Sequence, residues 1–314
     1  MKLSIIKNLR LIIFIIVIAV FTVYFLLNVE KFKPLLEVNI GLLLIIALAN
    51  LAGIFINGLF TKFILEPFKK LISVAEAFYV SVISSIGNFF APAGTGFGIR
   101  AVYLKKKHGL PYSEFISTLS GNYVLVLLIN SLIGLVALYL LRDQYSVQFL
   151  ALVMIFGLMF VVALGLIFLK IPSGKGSTQE KGSSLSRSFY RVVYGWSKIN
   201  SNKNLLLKLI GLVSINFIIA AFMYWSIIQS VNLTISFPAL LLFTVLGSLA
   251  IFINITPANL GVKEAIYLFS AAVLGFSVND ILLIALVDRG VQFAVLFVLW
   301  IFASRLREKV VPTD

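Results

Sequence analysis

Cysteine is absent, which excludes disulfides, thiolate metal sites and a cysteine nucleophile. Histidine occurs once, at His108 in a basic stretch, where a lone imidazole reads as a solvated loop side chain and not as a catalyst. Charge is also scarce. Asp, Glu, Lys and Arg make up 12% of the residues, against about 25% in a typical soluble domain. Outside the two motifs described below there is no pair of acids, Ser/His/Asp set or metal-ligand spacing. Neither glycine-rich run matches the Gly-x-x-x-x-Gly-Lys-Ser/Thr phosphate loop or follows a strand. The expectation is therefore a protein that is not an enzyme and uses no cofactor.

What the chain does have is apolar length. Hydrophobic residues make up 61% of it, against about 45–50% in soluble domains. This composition predicts an all-α polytopic membrane protein. A bilayer-spanning helix needs about 20 apolar residues, and six stretches are read as full spans: Leu9–Leu27, Ile40–Phe60, Phe115–Leu141, Val147–Leu169, Leu205–Ile228 and Asp280–Ala303. Phe237–Ile255 is also long enough to cross and is read as the entering arm of a hairpin. Leu9–Leu27 lacks a small-residue cleavage site behind it and is expected to stay as a span. The acids that open two spans, Glu114 and Asp280, read as first-turn residues favoured by the helix dipole. One segment, Lys170–Asn204, is polar and rich in Ser, Gly and Lys, the composition of a flexible loop. Within it Ser184–Lys198 has the pattern of a surface helix, with Phe189, Tyr190, Tyr194 and Trp196 as interfacial anchors.

The net charge of +14 would suggest nucleic acid in a soluble protein. Here the positions of the cations point to a bilayer and to no nucleic-acid partner. Twenty of the 26 Lys and Arg fall in five segments that the spans place on one face, and three (Lys31, Lys33, Arg142) on the other. By the positive-inside rule both termini are expected in the cytoplasm. The remaining three, Arg100, Lys263 and Arg289, lie within the apolar regions.

Two of those three follow a repeated helix-breaking motif. Asn88-Phe89-Phe90-Ala91-Pro92-Ala93-Gly94-Thr95-Gly96-Phe97-Gly98-Ile99-Arg100 interrupts the first half. Asn254-Ile255-Thr256-Pro257-Ala258-Asn259-Leu260-Gly261-Val262-Lys263-Glu264 interrupts the second. Pro92, Gly94, Gly96, Gly98, Pro257 and Gly261 are read as the residues that break two helical hairpins. One transmembrane domain over residues 1–314 is expected, with pseudo-repeats 1–141 and 147–304 and a cytoplasmic basic loop 170–204. Each half would have three spans and one broken or re-entrant hairpin. Three crossings per half is an odd number, so the halves would be inverted. Non-helical backbone survives inside a bilayer only where protein or a wet cavity satisfies it, and inverted repeats with broken helices are a pattern of transporters.

The returning arm of each hairpin starts with free N–H groups and the positive end of its dipole, an arrangement suited to an anion. Arg100 and Lys263 are expected in the first turn of those arms. Two readings of the intramembrane charges stay open. Either Arg100, Lys263 and Arg289 meet a phosphate while Glu264 and Asp288 orient them, or the two acids simply pair with Lys263 and Arg289 and lock the bundle. Asn88, Asn254 and Asn259 are candidates both for capping the broken helices and for touching a ligand.

Pro92-Ala93-Gly94-x-Gly96…Arg100 and Pro257-x-Asn259-x-Gly261-x-Lys263-Glu264-Ala265 resemble the paired motifs of the lysylphosphatidylglycerol synthase transmembrane-region, or flippase-like domain, family, over about Ile40 to Arg305. Asn122-Tyr123 stands where the family leads one to expect a charged pair, and Lys263 where arginine is commoner. The resemblance implies a bundle that moves lipids between leaflets, without the soluble aminoacyl-transferring domain of the family's two-domain members. Three functions follow as expectations. The first is a translocase for an anionic phospholipid or polyprenyl-type carrier, in a prokaryotic inner membrane, with a lipid-modifying or glycosyl-transferring enzyme as possible partner. The second is a secondary transporter of a small anionic solute. The third is a non-transporting scaffold whose basic loop Lys170–Lys208 binds anionic lipid or an enzyme.

Overall fold

The computed structural model describes residues 35, 37–91, 94–142, 147–168, 194–253 and 256–310. The expected span Leu9–Leu27, Pro92, Asn254 and the segment 169–193, with Phe189 and Tyr190, lie outside the described residues. Among the described residues the regular elements are all helical. They are α1 (Ile40–Ile64), the pair α2 (Val74–Phe90) and α3 (Thr95–His108), α4 (Tyr112–Leu140), α5 (Val147–Phe168), α6 (Lys203–Ser230), the pair α7 (Phe237–Ser248) and α8 (Val262–Leu274), and α9 (Val278–Val310). A further short helix covers residues 194–201. Among the described residues five helices are long and apolar enough to cross a membrane: Ile40–Phe68, Tyr112–Leu140, Phe149–Phe168, Lys203–Ser230 and Val278–Ala303. They coincide with five of the six expected spans.

Local chemistry sets the helix ends. Asn39 Oδ1 accepts from the N–H of Gly41 at 2.8 Å, and Asn202 Oδ1 from that of Leu205 at 3.1 Å. Asp280 and Ser277 exchange side-chain-to-backbone hydrogen bonds, 2.9 and 3.2 Å, which close the start of α9 as a reciprocal cap. Asp280 therefore has the helix-opening role expected of it, and Glu114 lies in the first turn of α4. Hydroxyls inside the bundle fold back onto their own helices: Ser84 donates to Val80 O, Thr244 to Leu240 O and Ser270 to Ile266 O. Ser81 instead donates across to Ile54 O of α1 at 2.8 Å and ties α2 to it.

The core has two parts. One gathers Ile64, Leu104, Leu125, Leu138, Phe156 and Leu209 from α1 and α3 to α6. The other gathers Tyr224, Ile227, Phe243, Tyr267 and Ile284 from α6 to α9. Leu48, Leu158, Ile218 and Ile301 sit exposed on the outer faces, as lipid-facing residues do. The entering arm α2 packs on α9 and on the turn Pro257–Asn259, so the two interrupted hairpins meet.

Two expectations change. Trp196 is not an interfacial anchor. It is buried, donates from Nε1 to Leu166 O at 2.9 Å, and packs against the glycine face of α4 at Gly121. Tyr194, two residues earlier, is exposed. His108 is not a loop residue. It ends α3, and its Nε2 lies 2.6 Å from Glu76 Oε1, which also takes Tyr103 OH at 2.9 Å and Lys107 Nζ at 3.0 Å. The four side chains join the start of α2 to the end of α3.

Candidate functional site

The first break is short. α2 ends at Phe90, Ala91 is extended, and Gly94 takes a left-handed conformation (φ 68°) at the head of α3. That conformation is open to glycine at no steric penalty. The helix then resumes at once, so Gly96 and Gly98 lie inside α3 rather than in the break. Gly96 has a different task. A Cβ there would fall 1.9 Å from the carbonyl oxygen of Ser84, so its absence is what lets the two arms touch. Asn88 Oδ1 accepts from the N–H of Gly96 at 2.9 Å and caps the returning arm from the entering one.

Arg100 sits in the second turn of α3, not the first. It is 8% exposed. Its Nε donates to Ser84 Oγ (3.1 Å), one terminal nitrogen to Thr61 Oγ1 (3.0 Å) and the other to Asn57 Oδ1 (3.2 Å). All three acceptors are neutral, and among the described residues no carboxylate pairs with Arg100. A guanidinium keeps its proton in proteins and has five N–H groups, so this is a buried, charged group with donors to spare.

The second break is longer and more tightly held. After α7 the chain makes a 3₁₀ turn at Leu249–Phe252 and another at Pro257–Asn259, where Ala258 and Asn259 have φ of 51° and 55°. Gly261 follows at φ 82°. Glu264 Oε2 accepts from the Gly261 N–H at 2.7 Å and caps α8. Its other oxygen takes Arg289 Nε (3.0 Å) and one terminal nitrogen (2.9 Å). Arg289 also donates to the carbonyls of Ala258 and Asn259, so α9 clasps the turn through a single side chain. Lys263, in the first turn of α8, lies 2.5 Å from Asp288 Oδ2 and over the rings of Tyr224 and Tyr267. Asp288 is 1% exposed and also accepts from Tyr267 OH at 3.3 Å.

These parts converge on one cavity of about 410 Å³. Arg100, Lys263 and Arg289 line it together with Asn88 and Asn259. Both readings of the charges are thus present at once. Glu264 and Asp288 pair with Arg289 and Lys263, as a bundle lock would have it, and neither lines the cavity. Arg100 keeps the unbalanced charge. Asn88 and Glu264 already occupy N–H groups at the starts of α3 and α8, so these helix ends offer an anion fewer free donors than expected.

Sequence reasoning missed much of the polar wall. Asn57, Asn130, Asn216, Tyr224 and Gln292 line the cavity, and Asn122, noted only as a departure from a motif, joins them. A single amide inside an apolar helix is the available signal, because such groups are expensive in a bilayer and face protein or a cavity. Tyr123 does not face the cavity; its ring touches Phe97 and Phe252, next to the first and second breaks.

No curated protein and no solved structure is significantly similar to the chain. A family pattern does match, that of the lysylphosphatidylglycerol synthase TM region, over residues 11–299. That range contains both breaks, the cavity, four of the described spans and most of the fifth, and so the chain belongs to the lysylphosphatidylglycerol synthase transmembrane-region family of membrane proteins related to lipid handling.

Proposed function

We propose that the protein is a carrier, not a catalyst, and moves an anionic phospholipid or lipid-linked carrier between the leaflets. The phosphate sits in the cavity and the acyl or polyprenyl tails stay in the bilayer. Arg100 is the primary phosphate ligand, Lys263 and Arg289 line the path, and Asp288 and Glu264 hold those two cations in place. The observation that carries the reading is Arg100: buried, charged, held by three neutral groups and facing a cavity it shares with two more cations. A charge buried without a counter-ion is costly, and an anionic ligand removes that cost.

A lipid is favoured over a soluble anion by the cavity wall. Phe89 lines the cavity, and its ring meets Phe293 (centroids 6.3 Å apart), which is exposed on the outer face of α9. Phe90, also exposed, packs against both rings, so this aromatic cluster runs from the cavity wall to the outer surface. The described elements run long helix, hairpin, long helix and then long, long, hairpin, long. We take the two series as inverted repeats whose relative rocking opens the cavity to each leaflet in turn, with both termini cytoplasmic.

Reconstituted liposomes with tail-labelled fluorescent lipids test this. Wild type is expected to move an anionic phospholipid. Arg100→Gln should slow transport about tenfold or more, the scale of one lost charged hydrogen-bonding group, and Arg100→Lys should recover part of it. Equal rates in wild type and Arg100→Gln would refute the assignment. Transport of free phosphate esters without lipid movement would establish the soluble-anion reading.

A further inference from the structure

The three cations of the cavity do not count equally. Lys263 lies 2.5 Å from Asp288 Oδ2, and Arg289 holds Glu264 Oε1 through two nitrogens, at 3.0 and 2.9 Å. Each of those two charges is cancelled where it stands. Arg100 has only its neutral acceptors, Ser84, Thr61 and Asn57. All three cations line the cavity, and no carboxylate does. Among the described residues, three cations against two acids leave the site with one positive charge in excess.

Neither paired cation is at liberty to answer a second negative charge. Asp288 is 1% exposed, and its remaining hydrogen bond is the one from Tyr267 OH at 3.3 Å. Drawing Lys263 away would strand a carboxylate that water does not reach, which is among the costliest arrangements in a protein interior. Arg289 also donates to the carbonyls of Ala258 and Asn259, so drawing it away would loosen the second break as well as unpair Glu264.

A phosphodiester carries one negative charge and brings such a site to neutrality. A phosphate monoester carries roughly −1.5 to −2 near neutral pH, and a diphosphate no less. Either leaves negative charge in excess where the surroundings solvate it poorly. Building on the lipid reading above, we infer that the site selects its ligand by the charge on the phosphate: it takes lipids whose phosphate is a diester and rejects those ending in a phosphate monoester or joined through a diphosphate. Arg100 supplies the one unbalanced charge, and the pairs Lys263–Asp288 and Arg289–Glu264 keep the count at one. Of the ligands proposed above, this admits phospholipids and carriers linked through a single phosphodiester.

The test compares two tail-labelled lipids that differ by one methyl group, phosphatidylmethanol and phosphatidic acid. The first is a diester and does not titrate in the range used. The second is a monoester that loses its second proton at about pH 6. Rates are taken in liposomes holding the full chain, above those of protein-free liposomes, at about pH 5 and about pH 8. At the lower pH both lipids are mostly singly charged and should move at similar rates. At the higher pH about one phosphatidic acid molecule in a hundred keeps the second proton, so its rate should fall about a hundredfold while that of phosphatidylmethanol holds. Phosphatidylmethanol also reports any effect of pH on the protein itself. Glu264→Gln and Asp288→Asn each remove one negative charge from the site. Each should raise phosphatidic acid relative to phosphatidylmethanol at the higher pH, by about tenfold or more. Because the readout is a ratio, loss of folded protein lowers both lipids alike. Wild-type phosphatidic acid moving as fast as phosphatidylmethanol at the higher pH, or an unchanged ratio in both variants, would overturn the inference while leaving lipid passage intact. Movement of neither lipid at either pH would overturn the lipid reading itself.

Discussion

Replacing Gly96 by alanine puts a methyl group where the first hairpin has no room. The added carbon would lie 1.9 Å from Ser84 O and 2.6 Å from the Asn88 amide. The closest ordinary carbon-to-oxygen contact is roughly 3.3 Å, so the arms must part by about 1.5 Å. Backbone on one side and a capping side chain on the other leave little to give. Overpacking of this kind costs about 1–3 kcal/mol, and losing the Asn88 cap about 1 more, so about 2–4 kcal/mol in all. The effect reaches the site, because Ser84, whose carbonyl is struck, also holds Arg100 through its hydroxyl. Gly98→Ala is the control two residues on. Nothing lies within 4 Å of a Cβ there, and alanine in a helix interior is worth about 0.5–1 kcal/mol over glycine. Thermal unfolding of both variants in one detergent should show Gly96→Ala well below wild type and Gly98→Ala at or above it. Equal midpoints for the two would refute the close-approach argument.

Three further outcomes follow from the ion pairs and the core. Asp288→Asn should destabilise by about 3–5 kcal/mol, since it strands Lys263, while adding Lys263→Met should restore most of the loss; denaturation of the two variants checks this. Glu264→Gln frees one side of the clasp on the second break, so amide hydrogen exchange over residues 256–262 should accelerate, by at least the factor of about ten that 1.4 kcal/mol represents. Trp196→Ala should cost about 3–5 kcal/mol in the same denaturation assay, a loss an interfacial anchor would not incur.

Much of the architecture was legible because bilayer length and apolar runs are strong, local signals. Phe115–Leu141, Leu205–Ile228 and Asp280–Ala303 each appear as helices within a few residues of their expected limits. The two motifs were legible for the same reason, as proline and glycine interrupting greasy sequence. What a motif does not encode is the division of labour within it. Gly94 and Gly98 look alike in sequence, yet one adopts a left-handed conformation and the other sits unremarked in a helix. The pairing of Lys263 with Asp288 and of Arg289 with Glu264 depends on the rotation of α9 against α8. The cavity amides come from helices distant in sequence, Asn57 on α1, Asn130 on α4 and Asn216 on α6, so only the packed bundle reveals them as one surface. His108 needed Glu76, 32 residues earlier, to become part of the structure.

On the proposed reading Arg100 holds the phosphate of an anionic lipid inside the bundle. Native mass spectrometry of the protein released from mild detergent, wild type beside Arg100→Gln, tests it most directly. An anionic lipid should be retained by wild type and lost from the variant with the bundle still folded. Wild type carrying no lipid, or the same lipid retained equally without the guanidinium, would contradict it.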